Sequence, residues 1–264
     1  MSLEKLYIKE VGVENSETII FIHSGTMASW MYDEQIKAFR DYHCLIPDLP
    51  EHGQSIGVKP FTIKDSAEKI ITIIENKAHN GKAHLVGISL GGQIILQILS
   101  IKPNIVEDAF ISGTLTCTIP ETETFLKLLN YTTRTYAPVM GTDFFIKANM
   151  RSYNMPKHFF NNFKKSTQII NPDAFKRILA ENMLFKLPDD LINVKTPVLV
   201  MAGEKDYRII QKSAYNLIKT LKNSQGYIAP RVGHLWNLES PNLFNKILKY
   251  WMNNIDMNDI LLKF

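Results

Sequence analysis

Short β-branched and apolar runs alternate with longer stretches whose apolar positions recur every three or four residues. Thr18 to Ile22, Cys44 to Pro47, Ala83 to Val86 and Val106 to Ile111 read as strands, with Tyr7 to Val11 as an edge strand ahead of them. Ile63, Ala67, Ile70, Ile71, Ile74 and Ala78 share one helical face, and Ile94, Ile95, Ile98 and Leu99 share another. Strands separated by amphipathic helices predict βαβ units and a mostly parallel sheet flanked by helices. The alternation stops after Gly113. From Leu115 to Asp190 only helix-like pieces appear, at Glu121 to Tyr131, Thr142 to Asn149, Pro156 to Thr167 and Asp173 to Phe185. It resumes with a strand at Pro197 to Ala202, a helix at Ile209 to Leu221, a strand at Gly226 to Ala229 and a helix from Pro241 to Asn253. The pattern predicts an α/β core of residues 1–114 and 191–264, interrupted by a helical insertion of residues 115–190. A strand-free stretch of that length exceeds an ordinary loop and points to a functional element.

Composition narrows the class. The 264 residues are 45% hydrophobic and 21% charged, which excludes a disordered or fibrous chain. No apolar run approaches the roughly 18 residues of a membrane span, so no membrane association is expected. Thirty Lys and Arg against 26 Asp and Glu leave a net charge of +4. The basic residues are scattered, with Lys164–Lys165 and Lys176–Arg177 as the adjacent pairs, so no nucleic-acid partner is expected. Cys44 and Cys117 fit neither a metal motif nor a disulfide framework, and neither metal nor cofactor is expected. The first residues hold no apolar run of signal-peptide length, which makes a reduced, cytoplasmic protein the expectation. Frequent Ile, Lys and Asn suit an AT-rich bacterial genome. No pattern specifies an oligomeric state.

The candidate chemistry centres on Gly87-Ile88-Ser89-Leu90-Gly91, a G-x-S-x-G pentapeptide between a strand and an amphipathic helix. In that setting a serine sits on a sharp turn, flanking glycines clear its side chain, and the helix N-terminus favours a developing oxyanion. The bland alternative is a helix-capping serine. A serine needs a base. Among seven histidines, His234 follows the last long strand, at the sheet edge where Ser89 also lies. His43 stands at the opposite edge, His79 on a polar helix end, His84 in a strand and His158 in the insertion. The base needs a carboxylate. Asp206 follows the strand at Pro197 to Ala202, with Glu204 as its nearest rival, and Ser-Asp-His is the chain order expected for this scaffold.

With these residues in hand, the chain resembles an α/β-hydrolase-fold serine hydrolase with a helical cap, over nearly its whole length. The matching pieces are Phe21-Ile22-His23-Ser24-Gly25-Thr26, Pro47-Asp48-Leu49-Pro50-Glu51-His52-Gly53-Gln54-Ser55, the turn around Ser89, Gly203 to Asp206, and Gly233-His234. The resemblance implies Ser89 as nucleophile, Asp206 as acid and His234 as base. It implies an oxyanion hole from the backbone N–H groups of Gly25 and Leu90, with His23, His52 and Asp48 as structural groups. Thr26, Met140 and Leu235 are expected to line the pocket. The family usually has glycine where this chain has Ser24 and Glu51. The first departure makes the loop path beside the oxyanion hole a point to check, because serine lacks glycine's freedom at positive φ. The insertion would form the cap. Its many aromatic residues either pack it or line a tunnel, and its ten Lys or Arg against seven Asp or Glu either favour anionic substrates or simply solvate its surface. The implied activity is hydrolysis of a small carboxylic ester or thioester through an acyl-Ser89 intermediate, with a small molecule as the sole partner. Carbon–carbon bond hydrolysis or a lyase reaction on the same residues, and a non-catalytic receptor, stand as alternatives.

Overall fold

A computed structural model describes residues 5–128, 139–257 and 261–264. The strands are β1 (Ile8–Val11), β2 (Thr18–Ile22), β3 (His43–Pro47), β4 (Ala83–Ile88), β5 (Val106–Ser112), β6 (Val198–Gly203), β7 (Ser224–Ala229) and β8 (Leu262–Lys263). They form one sheet in the order β1-β3-β2-β4-β5-β6-β7-β8. The pairs from β3 through β7 are parallel, and β1 and β8 close the edges antiparallel. The inner strands are buried on both faces, which is why they read as unbroken apolar runs. Their side chains still alternate. Ile20, Ile22, Leu45, Leu85, Ile111 and Val200 join one core cluster, whereas Ile19, Phe21, Ile46, Val86, Phe110 and Leu199 join the other.

Helices cover both faces. Along the chain they are α1 (Asp33–Ala38), α2 (Ile63–Lys77), α3 (Leu90–Ile101), α4 (Asp143–Ser152), α5 (Phe160–Ile169), α6 (Pro172–Leu184), α7 (Arg208–Thr220), α8 (Trp236–Glu239) and α9 (Pro241–Met252). α2, α3 and α7 pack on the first cluster through residues such as Ile70, Ile94 and Leu217. α9 packs on the second through Phe244, Ile247 and Leu248. Local chemistry starts several of them: Thr62 accepts from Asp65 N–H (3.0 Å), Asn171 accepts from Ala174 N–H (2.9 Å), and Pro241 opens α9.

The strands expected between Thr18 and Ala229 are present, with ends shifted by one or two residues. β8, α1 and α8 are additions, each too short to carry a period. Between β5 and β6 the described residues form no strand. That segment holds a helical stretch over 122–128, then α4, α5 and α6. Two of the insertion's aromatic residues, Tyr131 and Tyr136, lie outside the described residues. No helix among the described residues is long and apolar enough to cross a membrane.

The sheet order positions the site. The chain passes from β2 outward to β3 and returns across β2 to β4. Loops after β2 and β4 therefore diverge at this reversal, leaving a crevice at the carboxyl ends of the strands.

Below that crevice lies a buried histidine pair. His23 Nε2 accepts from Leu49 N–H (3.0 Å), so its Nδ1–H donates to the Ser24 carbonyl (2.8 Å). His52 Nδ1 meets the Pro50 carbonyl (2.8 Å), and its Nε2 has no partner. The rings lie 5.0 Å apart. Asp48 braces the same loop, accepting from Ser29 N–H (2.6 Å) and Gln54 N–H (2.7 Å). Burial pushes His23 down to about 4; burial and the neighbouring His23 push His52 down to about 3. The unfolded chain therefore takes up these protons first. The stability they contribute is complete above the ordinary value of 6.5 and is lost as pH falls toward 4. His84 acts in the opposite sense. Burial opposes its charge, but the hydrogen bond it donates to Asp108 outweighs this and raises its pKa, so its contribution declines only above about 6.5. The urea midpoint should therefore fall steadily from pH 6.5 to 4.5, heading toward a loss on the order of 3 kcal/mol for each ring at pH 4. A midpoint that stays flat over that window would contradict neutral burial of the pair.

Candidate active site

Ser89 connects β4 to α3 with φ 56° and ψ −114°. A side chain in that region is strained, and its surroundings must hold it there. Its N–H donates to Ser112 O (2.8 Å), while its carbonyl accepts from Gly92 N–H (3.0 Å) and the Thr114 hydroxyl (3.2 Å). The turn is possible because two neighbours lack side chains. A Cβ on Gly91 would strike the Ile22 carbonyl oxygen, and one on Gly92 would strike Thr114 Oγ1. The pentapeptide and the glycine after it thus satisfy a packing demand between β4, β2 and α3.

Asp206 follows β6 and His234 follows β7. Both Asp206 oxygens lie 3.0 Å from His234 Nδ1, and Asp206 Oδ1 also accepts from Tyr207 N–H (2.7 Å). The carboxylate is fully buried, and the imidazole is 13% exposed. With Nδ1–H donating to the carboxylate, Nε2 is the nitrogen left to act as acceptor. Tyr153 and Tyr207 flank the ring at 6.1 and 6.4 Å between centroids. Gly113, at φ 63°, passes so close that a Cβ would lie 3.2 Å from His234 Cε1. Glu204 is exposed and accepts from Arg231 N–H (2.6 Å), turned away from this cluster. Glu239 accepts from Gly233 N–H (2.7 Å) and steadies the histidine loop.

Ser89 and His234 line one cavity of about 240 Å³, together with Ser24, Gly25, Thr26 and Leu90. No direct hydrogen bond joins Ser89 Oγ to the ring; such bonds often tighten only with substrate in place. The left-handed residue of the β2 loop is Thr26, at φ 61°, in a turn closed by Met27 N–H on Ser24 O (3.2 Å). Ser24 stands outside the left-handed region, so the missing glycine leaves the turn intact. Leu90 opens α3, where its N–H has no intrahelical partner.

Helices α4 to α6 complete the walls. Phe145, Asn149 and Tyr153 face the cavity from α4 and the residue just beyond it, and Phe163 and Thr167 from α5. Phe175, Ile178, Leu179 and Asn182 face it from α6, at the i, i+3, i+4, i+7 spacing of one helical face. Met140 lines it, as expected. Leu235 does not: it is 1% exposed and packs in the second core cluster, because the residue after His234 turns inward to lead α8. Tyr153 is one of the insertion's aromatic residues that line the cavity, whereas Asn149 and Asn182 are polar lining residues that sequence reading passed over; their helical spacing was the available signal. Among the described residues no Lys, Arg, Asp or Glu lines the cavity, so the basic excess of this segment lies elsewhere.

A larger hollow of about 600 Å³ lies against β1 and α2. Its Lys69 and Lys77 are paired with Asp65 and Glu10, and it contains neither serine nor histidine. Among the described residues no group of three His, Cys, Asp or Glu is arranged to hold a metal ion.

Residues 19–247 match the sequence model of the Alpha/beta hydrolase family. An AB hydrolase superfamily protein of Gibberella zeae is 25% identical over 251 residues, covering 92% of this chain and 82% of its own. A pimeloyl-[acyl-carrier protein] methyl ester esterase of Wigglesworthia glossinidia brevipalpis is 26% identical over 262 residues, covering 91% and 95%. In fold, the chain is similar to a thermophilic esterase from Thermogutta terrifontis, with TM-score 0.76, 18% identity, and 96% and 94% of the two chains covered.

Proposed function

Because the chain belongs to the alpha/beta hydrolase family, we propose that it hydrolyses carboxylic esters or thioesters with a neutral, largely apolar acyl group, through an acyl-Ser89 intermediate. The observation that carries this reading is the doubly accepted His234–Asp206 hydrogen bond opening onto the cavity that holds the strained Ser89. In this mechanism His234 Nε2 takes the Ser89 proton as Oγ attacks the carbonyl carbon. The oxyanion is met by the N–H groups of Gly25 and Leu90, the latter at the positive end of α3. The imidazolium, stabilised by Asp206, returns the proton to the leaving alcohol or thiol. Water, deprotonated by the same ring, then attacks the acyl carbon, and Ser89 leaves with its proton restored.

Residues 115–190 act as a cap in this reading, and the pocket's composition selects the substrate. An acyl chain carrying a free carboxylate would bury a charge without a partner, which is costly. Neutral acyl groups gain about 0.8 kcal/mol per buried methylene, roughly fourfold in kcat/KM. Across an aryl ester series kcat/KM should climb a few fold per carbon, then drop where the walls close. An ester ending in a carboxylate should be at least about tenfold slower than its neutral isostere. A fluorophosphonate should add one phosphonyl group to the peptide bearing Ser89. No labelling and no ester turnover would remove the hydrolase reading in favour of a receptor. A flat profile from acetate to palmitate would remove the bounded pocket.

A further inference from the structure

Glu51 occupies a place where the family motif usually has glycine, and its backbone keeps the left-handed conformation of that glycine, φ 61°. A side chain there is uncommon, and this one is put to use. The carboxylate is 3% exposed and accepts from Phe61 N–H (2.9 Å), Arg177 Nε (2.9 Å) and Arg177 Nη2 (2.6 Å). The two-pronged ion pair ties the loop after β3 to the middle of α6. Two further polar contacts fasten the same helix. Glu181 accepts from Ile63 N–H (2.8 Å), and Asn182 exchanges hydrogen bonds with Gln93, each 2.9 Å. Ile178, next to Arg177, reaches the β2 loop: a Cβ on Gly25 would sit 3.7 Å from Ile178 Cγ2.

We propose that Glu51 is a positioning residue for the substrate pocket: through its paired hydrogen bonds to Arg177 it fixes α6, and thereby the depth of the acyl site walled by Phe175, Ile178 and Leu179. The kinetic part of this inference rests on the ester reading above. Neither Glu51 nor Arg177 lines the cavity, so both act through the helix. Burial alone would raise the Glu51 carboxyl, but Arg177 and the Phe61 amide outweigh it and hold it below the usual range. The latch is therefore charged at neutral pH.

Glu51→Gly is the informative variant, because it restores the residue that φ 61° favours while removing the carboxylate. Arg177→Met removes the other half without touching the loop. In both, KM for the best short ester should rise about three- to tenfold with kcat within about twofold, and the chain-length cut-off should move to longer acyl groups. Amide exchange over 172–184 should accelerate by about tenfold. The double variant should resemble either single one, since both break one pair. Arg177→Lys should fail to restore the wild-type cut-off, leaving it at longer acyl groups, because an ammonium cannot fork across a carboxylate. An unchanged cut-off together with unchanged α6 exchange in Glu51→Gly would overturn the proposal, as would a uniform fall in kcat with the cut-off fixed. If the wild-type protein hydrolyses no ester and resists fluorophosphonate, the ester reading fails, and exchange over α6 still decides the latch.

Discussion

Ser89→Ala should lower kcat by about 10⁴ or more and abolish fluorophosphonate labelling, while the protein remains folded. The size of the effect follows from how the three residues act in the proposed mechanism. Base and acid are useful only if a nucleophile is present, so removing the serine removes nearly all that the group contributes. Folding should survive because the turn is held by main-chain contacts, Ser89 N–H on Ser112 O and Gly92 N–H on Ser89 O, which alanine keeps. A melting temperature close to wild type serves as the control. Retention of more than a tenth of wild-type turnover would move the nucleophile elsewhere.

Asp206→Asn should cost about 10⁴ in kcat, the loss that the same exchange produces in chymotrypsin-type proteases. The reason is directional. Asp206 accepts from His234 Nδ1 and from Tyr207 N–H. An asparagine that keeps the Tyr207 bond through its oxygen must turn its NH₂ toward the ring. The ring would then place its proton on Nε2, the nitrogen that has to take the serine's. Glu204→Gln should leave turnover within about twofold, since that carboxylate is exposed and bonded to Arg231 N–H. The reverse outcome, normal rates in Asp206→Asn and collapse in Glu204→Gln, would reassign the acid.

Much of the fold was legible because parallel strands buried on both faces leave continuous apolar runs, as in Thr18–Ile22 and Val198–Gly203. β8 and α8 were not, because two and four residues cannot display a period. The grouping of Ser89, Asp206 and His234 could be anticipated from sheet logic, since each follows a strand at the same edge. The pocket walls were harder. The stripe Phe175, Ile178, Leu179, Asn182 faces a cavity, yet its spacing is the same as that of a stripe facing a solid core. Leu235 was expected in the pocket, yet it follows His234 in a turn, where consecutive residues diverge, and it packs in the core. The Glu51–Arg177 pair spans 126 positions, a separation at which charge spacing carries no signal. Its trace in the sequence was a missing glycine.

The pocket's two sides are held by different forces. α6 is held to the body of the protein by an ion pair and amide hydrogen bonds as well as by buried Ala174 and Ile178, whereas α4 and α5 are seated chiefly through Ile146, Met150 and Phe163 in an apolar cluster. Apolar contact weakens on cooling, while an ion pair weakens in salt or acid. Cooling therefore loosens both walls, whereas salt or acid acts chiefly on the side that carries Ile178. Under the proposed ester reading, the range of acyl groups admitted should therefore depend on the medium as well as on the sequence, with cooling and added salt relaxing the same cavity to different extents on its two sides.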